Sequence, residues 1–495
     1  MRRISFLLAL IVLGMAPKAS AADDVVTQAM KLYEKRHYDE AINLLRSEVT
    51  SIDHAKQGAA YLTLGTAYFK NAVLHSDLFR SAVSVSQDYL KKLAAAQRSS
   101  RSLFVDLYLG ETLLGAGKPG VAAIYFEKFS GNENVEPRYR SIAKISLGLC
   151  HHLNNETAKA TSLWSAIDTA DNEVKAELAA AYSKAGLADR NPAKMADECL
   201  AEAKRSGKPL SMRLVKNVIA VYARAGFVEK GMDLLRHSDL KAYSYRDTLG
   251  TSKVINFYDC SLLSDMAALY GQASITNLEK AIADPKVKDP AEFFLSEAHA
   301  LFGSNDQSAR ATASFIANSQ MPQQYKDIIR VWQGANLYQK NRISDAMALW
   351  EELSRKQPEN PDLLAEIITT CSRLKAECPK IVQKSAAVIE SSEGKKFTTL
   401  NIALGRYFLG RLDSARAASY LEMGRDKSNK NKIESNDPVM LVSLADAYYR
   451  TKKYSEALEI FFEMSKQFPE VRQIQEAMQG VYAMEHKSAG DVKIN

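Results

Sequence analysis

Along most of the chain apolar residues recur at helical spacing, while strict alternation of β-branched and polar residues is almost absent, which predicts an all-α protein. The helix-length segments come in pairs. In the clearest pair, Leu444, Ala445, Tyr448 and Tyr449 mark a first segment, Tyr454, Ala457, Phe461 and Met464 a second, and Pro469 follows. Ala445 and Ala457 are small residues twelve positions apart, and Phe461 lies four beyond the second. Two helices cross closely where each carries a small residue, and large side chains fill the space beside the crossing.

The same spacing recurs as Gly334, Leu337, Ala346, Trp350, Leu353 and Pro358, and as Gly405, Phe408, Ala417 and Leu421. Upstream it reads Gly110, Leu113, Ala122 and Phe126, then Gly148, His151, Ala160 and Trp164; the first copy is Ala29, Leu32, Tyr38, Ala41 and Leu45. This pattern resembles the tetratricopeptide repeat (TPR) family, whose 34-residue unit is small at positions eight and twenty, large at twenty-four and Pro at thirty-two. Eighth positions at Ala29, Gly65, Gly110, Gly148, Ala179 and Ile219 are 31 to 45 residues apart, so the units are degenerate. About five extra residues intervene between Tyr68 and Ala82, and turns fall at Gly186 and Gly226.

The resemblance implies an α-solenoid of antiparallel helix hairpins, roughly ten of them, with room for two arrays. We expect an N-terminal array over 22–240, an irregular helical connection over 241–290, a C-terminal array over 291–485 and a flexible tail at 486–495. The connection is the worst fit: Tyr243, Tyr245, Phe257 and Tyr258 flank a glycine-containing polar run. Residues 474–482 read as the solvating terminal helix that an open-ended solenoid needs.

The chain opens with Arg2 and Arg3, continues through an apolar stretch from Ile4 to Met15, and reaches Ala19-Ser20-Ala21 before Ala22-Asp23-Asp24. That layout predicts a secretory signal peptide over 1–21, since the apolar run is well short of the roughly 20 residues that cross a bilayer. No cysteine stands near the expected cut to take a lipid. Cleavage removes Arg2, Arg3 and Lys18 and lowers the formal charge from +7 to +4. The remaining charges are interspersed, and the basic stretch Arg425–Lys432 lacks interleaved aromatics, so no nucleic-acid partner is implied. After cleavage no second run is long enough to anchor the chain in a membrane, and a periplasmic location is expected, with secretion or outer-membrane association as variants. Five cysteines show no C-x-x-C or zinc spacing. Cys371 and Cys378 are placed to pair across a helix end interrupted by Pro379, with two buried free thiols as the alternative.

No nucleotide-loop, zincin, hydrolase-elbow or EF-hand motif is present, and no catalytic, cofactor or metal site is assigned. His151 and His152 are adjacent on a helix and point about 100° apart, so they cannot share an ion unaided. His151 holds the eleventh position of its unit, where packing is the expected role.

In the TPR family the concave face comes mainly from the first helix of each unit, at positions five, nine and twelve. The resemblance puts Val26, Leu62, Leu107, Ile145, Ala176, Lys216, Val331, Ile402 and Val442 at the fifth position. It puts Tyr33, Phe69, Leu114, His152, Ser183, Ala223, Tyr338, Leu409 and Tyr449 at the twelfth. Both rows are mostly apolar and lack the Lys, Asn and Arg set that captures a terminal carboxylate. Tyr33, Phe69, Tyr338 and Tyr449 are the candidate anchors of a partner-binding groove for an amphipathic helix or an extended apolar segment. The alternative is a tightly wound superhelix that packs the same residues against its own turns. The expected function is an exported TPR scaffold or adaptor for protein–protein interactions in assembling a cell-envelope complex. A periplasmic chaperone or carrier of apolar segments is the first alternative, and an enzyme scaffolded on repeats the second. N-terminal sequencing of the protein from the exported fraction should begin at Ala22; a start at Met1 would refute the leader.

Overall fold

The computed structural model describes residues 25–96, 104–207, 210–237, 244–248, 254–258, 260–391, 397–425 and 437–467, with Met478 and Val481. The expected leader at 1–21 and tail at 486–495 lie outside the described residues, as does most of the expected terminal helix at 474–482.

The described chain is built almost wholly of helices. In order they are α1 (Val25–Glu34), α2 (Tyr38–Glu48), α3 (His54–Ala96), α4 (Val105–Gly115), α5 (Pro119–Ser130), α6 (Pro137–Leu153) and α7 (Thr157–Ser165). Next come α8 (Asn172–Lys184), α9 (Pro192–Arg205), α10 (Met212–Ala225) and α11 (Val228–His237). After a two-stranded ribbon follow α12 (Cys260–Ala281), α13 (Lys288–Phe302), α14 (Asn305–Asn318), α15 (Gln323–Gln339), α16 (Ile343–Lys356) and α17 (Pro361–Arg373). The last are α18 (Pro379–Glu390), α19 (Thr398–Gly410), α20 (Ser414–Gly424), α21 (Pro438–Arg450) and α22 (Tyr454–Gln467).

Successive helices pair as hairpins, and one turn closes nearly all of them. A residue with positive φ ends the first helix at Arg36, Gly117, Asn155, Gly186, Gly226, Asn341, Lys375, Leu412 and Lys452. The N–H of the next residue then reaches back five positions, as from Glu156 to the His151 carbonyl (2.8 Å) and from Arg342 to the Leu337 carbonyl (2.9 Å). This is the six-to-one bond that satisfies a carbonyl left over at a helix end. Asn tolerates the left-handed conformation, but a β-carbon makes it costly for Leu412, which is also 75% exposed. The α13–α14 turn instead uses a capping box, with Ser304 and Gln307 satisfying each other's backbone N–H.

The helices of a hairpin meet where the pattern puts its small residue. A β-carbon on Gly110 would lie 2.7 Å from the Phe126 ring, and one on Gly148 would lie 2.4 Å from the Trp164 indole. The same holds for Gly334 against Trp350 and Gly405 against Leu421. Each pair is sixteen residues apart, so a large side chain from the second helix lies against the backbone of the first. Trp164 and Trp350 also donate Nε1–H to the Ile145 and Val331 carbonyls, at 3.0 and 2.9 Å. The indole's apolar body is buried and its polar edge satisfied in one position.

The first departure from expectation is α3. The extra residues between Tyr68 and Ala82 suggested a turn, yet α3 runs unbroken for 43 residues. No glycine or proline stands between Gly65 and Gly110 to end it. Gly65 therefore finds its partner elsewhere: a β-carbon there would come within 2.7 Å of Leu278 on α12, and Gly58 is similarly close to Asp284. Contacts divide the described chain into two compact units, one holding the residues up to Leu74 and those from Gly271 to Met478, the other His75–Tyr270 with Val481. The first unit is thus discontinuous in sequence, and the division does not follow the expected arrays at 22–240 and 291–485.

The second departure lies in the expected irregular helical connection at 241–290. It contains a two-stranded antiparallel ribbon, β1 (Ser244–Thr248) and β2 (Val254–Tyr258), with Ser244 opposite Tyr258 and Thr248 opposite Val254, before α12 begins. The run Val254-Ile255-Asn256-Phe257-Tyr258 has the β-branched and aromatic content that favours a strand, and Gly250 lies in the connection.

Replacing Trp350 with Ala removes the side chain that fills the α15–α16 crossing and should cost about 3–5 kcal/mol. Urea unfolding of the mature protein followed by circular dichroism should show the midpoint falling accordingly; an unchanged midpoint would contradict this account of the crossing.

Candidate functional site

A binding surface on such a stack is expected on the first helices of the hairpins, and the structure withdraws most of both rows from solvent. At the fifth position Val26, Leu62, Leu107, Ile145, Ala176, Lys216, Val331 and Val442 are buried and Ile402 is half-buried. At the twelfth Tyr33, Phe69, Ala223 and Tyr449 are buried, while Leu114, His152, Ser183, Tyr338 and Leu409 are half-buried. The four aromatics singled out as groove anchors engage their own unit. Tyr33 packs on Tyr38, Tyr338 stacks on Trp350 and Tyr449 packs on Tyr454, with ring centroids 5.4, 6.2 and 5.6 Å apart. Phe69 meets Phe302 at 6.2 Å. A twelfth-position ring stands just before the turn, where the opening of the second helix covers it. Only Tyr338 of the four keeps substantial solvent contact.

In the unit within His75–Tyr270, the first helices are tied together by buried charge. Arg213 on α10 donates through Nη1 to Glu111 on α4 (2.8 Å) and to Glu177 on α8 (3.0 Å), and Asn217 adds a bond to Glu177 at 2.9 Å. Burial alone would raise the Glu177 pKa, but the charges of Arg213 and Lys216 outweigh it and hold the carboxyl below the usual range. A second knot joins Asp265 on α12, itself 2% exposed, to Arg224 at 3.2 Å and Lys184 at 3.6 Å. Charges so placed bind the unit's own helices to one another. His151 likewise serves its turn, with Nδ1 2.5 Å from Glu156 Oε2.

The other unit also carries charged groups on its first helices. Glu297 on α13, Glu366 and Arg373 on α17, and Arg406 on α19 are all half-buried. Glu297 is enclosed on most sides, and this burial, with the Glu366 charge nearby, raises its pKa above the usual carboxylate range. Burial, with Arg373 beside it, lowers Arg406 to about 10. Glu366 accepts from Trp332 Nε1 at 2.7 Å. Opposite charges stand there too, Lys70 and Arg373 beside Glu297 and Asp437 beside Arg406, so these residues form a mixed-charge patch.

The spacing of bonds between neighbouring hairpins gives the period of the stack. Trp332 to Glu366, Lys340 to Asp306 (2.9 Å) and Ser372 to the Arg406 carbonyl (3.4 Å) each span 34 residues. These hairpins are tetratricopeptide-type repeats. Residues 439–467, the α21–α22 hairpin, match the family model described as PPR repeat, another repeat name attached here to a single unit. No curated protein sequence matches the chain. Among solved structures, yeast Tom70 is similar at 13% identity, covering 95% of this chain and 96% of that one, with a TM-score of 0.34. Cut9 in the APC/C hetero-tetramer Cut9-Hcn1 is similar at 11% identity over 92% and 89%, TM-score 0.28. The TPR domain of P58(IPK) is similar at 14% identity over 78% and 99%, TM-score 0.22. Likenesses this loose carry nothing about what this chain binds.

Glu297, Glu366 and Arg373 escaped the sequence reading because α13 and α17 lack the small residue followed sixteen positions later by an aromatic. Counted back from its turn, the eighth position of α17 is Ile368. Arg406 follows the eighth-position Gly405 directly, so the ninth-position row, read alongside the other two, would have found it. Among the described residues no group of three or more His, Cys, Asp or Glu side chains is close enough to hold a metal ion, and no helix is long and apolar enough to cross a membrane.

Arg213→Met leaves two carboxylates unpaired beside Lys216 and should destabilise the protein by about 3–5 kcal/mol at neutral pH. The sign of the acid limb follows from the lowered Glu177 pKa. Stability from this pair is present above the unfolded value, about 4.3, and is lost as pH falls through the lower folded value. Denaturation midpoints between pH 7 and 3 should converge for wild type and variant toward the acid end; a constant gap would place the cost elsewhere.

Proposed function

We propose that the protein is an exported scaffold that holds other proteins of the cell envelope in an assembly, and that it recognises them through the first helices of its C-terminal repeats. A TPR-type stack is a protein–protein interaction scaffold by construction: it presents a row of helices on one continuous surface and offers no enclosed catalytic constellation. The observation that carries the site is that Glu297, Glu366, Arg373 and Arg406 are half-buried on three of the first helices, α13, α17 and α19, in a repeat whose own packing uses mostly apolar residues there. The exported and envelope parts of the reading rest on the expected leader over residues 1–21.

Fold alone does not name a partner, so the test is direct. Tagged mature protein is crosslinked in living cells and its partners identified by mass spectrometry, alongside a Glu297→Gln, Arg373→Gln, Tyr338→Ala variant whose helicity is checked by circular dichroism. One dominant envelope protein, at least tenfold depleted from the variant, is the expected outcome. A spread of unrelated apolar clients favours the chaperone reading, and undiminished capture by the variant removes these residues from the binding surface.

A further inference from the structure

Two cysteines meet at the α17–α18 turn. Cys371 lies in the last turn of α17 and Cys378 is the N-cap residue of α18; their exposures are 0% and 1%, and both are free thiols. The intervening turn is pinned from several sides. Ala376 donates its N–H to the Cys371 carbonyl at 2.8 Å, Lys375 sits at φ 55°, and Arg411 donates to the Ala376 carbonyl at 2.7 Å. The Cys378 N–H points at the Tyr407 hydroxyl oxygen 3.5 Å away. Each thiol is the leading influence on the titration of the other, which makes the two sulfurs near neighbours. Cys150 and Cys199 stand in other settings: Cys199 donates to the Asn172 carbonyl at 3.6 Å, and burial pushes the Cys150 thiol up to about 12.

We infer that Cys371 and Cys378 form an intrachain disulfide under oxidising conditions, closing an eight-residue loop that locks the hairpin carrying Glu366 and Arg373. Cys378 stands at the N-cap of α18, where the helix N-terminus favours the thiolate, with the Arg411 guanidinium acting in the same direction. Cys378 is therefore the attacking thiolate. It displaces one thiolate from the disulfide of a low-molecular-weight or protein oxidant, giving a mixed disulfide. Cys371 then loses its proton and attacks the Cys378 sulfur, displacing the second thiolate. The protein gives up two electrons and two protons, and the oxidant's disulfide becomes two thiols. Because the atoms are buried, the reaction belongs to folding or to local opening of the turn.

The pairing bears on the scaffold reading, since a bridge in the cell needs the exported compartment, but it is testable apart from it. Purified mature protein is equilibrated in oxidised and in reduced glutathione buffers, then denatured, alkylated and digested with trypsin. Cleavage at Lys356, Arg373, Lys375 and Lys380 separates the two cysteines into different peptides. The oxidised sample should yield the peptides 357–373 and 376–380 joined and lighter by two hydrogens, with Cys150, Cys199 and Cys260 alkylated. The melting midpoint should exceed that of the Cys371→Ser, Cys378→Ser variant by about 2 °C, and the difference should vanish under reduction. Singly alkylated Cys371 and Cys378 after oxidation, or bridging to glutathione alone, overturns the proposal. A bridge that forms in the buffer while protein trapped in cells is reduced upholds the pairing and counts against export.

Discussion

Everything in this chain depends on how closely two helices of one hairpin can approach. At Gly148 and Gly334 the first helix has no side chain, and the indole of the second lies on its backbone and donates a hydrogen bond to it. A buried Trp withdraws roughly 150–250 Å² from water, worth about 4–6 kcal/mol at 25 cal/mol per Å². That gain exists only while the sixteen-residue interval is kept, so the interval fixes the length of both helices and the place of the turn. The turn then needs one residue of positive φ, and Asn155, Gly186, Gly226 and Asn341 supply it where the pattern demands.

Where the crossing fails, the topology changes. Gly65 is small enough, but no breaker follows it and no large residue folds back at the expected interval. The helix continues, and the close approach is made by Leu278, more than two hundred residues later in sequence. The preference for a filled crossing is strong enough to recruit a partner across the whole inserted unit. A contact of that sequence separation carries a loop-closure cost that grows only logarithmically with length.

The fold was legible to the degree that this crossing leaves a mark on single residues. The hairpins at Gly110, Gly148, Gly334, Gly405 and Ala445 and the turns at Gly186 and Gly226 could be read directly, because a small residue followed sixteen positions later by a large one, or a glycine at positive φ, is a local signature. The long α3 could not, since a missing turn leaves no residue to notice. The ribbon at Ser244–Tyr258 was hidden because an aromatic run beside a glycine also suits an irregular connection. The candidate groove was the least legible part. An apolar twelfth position fits a partner anchor and a ring closing its own turn equally well, and only the Tyr33–Tyr38 and Tyr449–Tyr454 contacts separate them.

That ambiguity bears on how such a scaffold can be specific. Once apolar residues of the first helices are committed to their own hairpins, they stabilise the stack and are lost to recognition. Discrimination then falls to the polar groups left between them. In the unit within His75–Tyr270 these are spent on one another, through Arg213 with Glu111 and Glu177 and through Asp265 with Arg224. In the other unit Glu297 and Arg406 stand among charges of both signs, Glu366, Lys70 and Arg373 beside the first and Arg373 and Asp437 beside the second, at a surface still in touch with water. Charges in that setting interact more strongly than at an open surface and lose less hydration on binding than fully solvated ones. They reject a partner of the wrong sign as effectively as they hold the right one. If the proposed surface is the one used, it would select by charge pattern along a segment and draw little on apolar area.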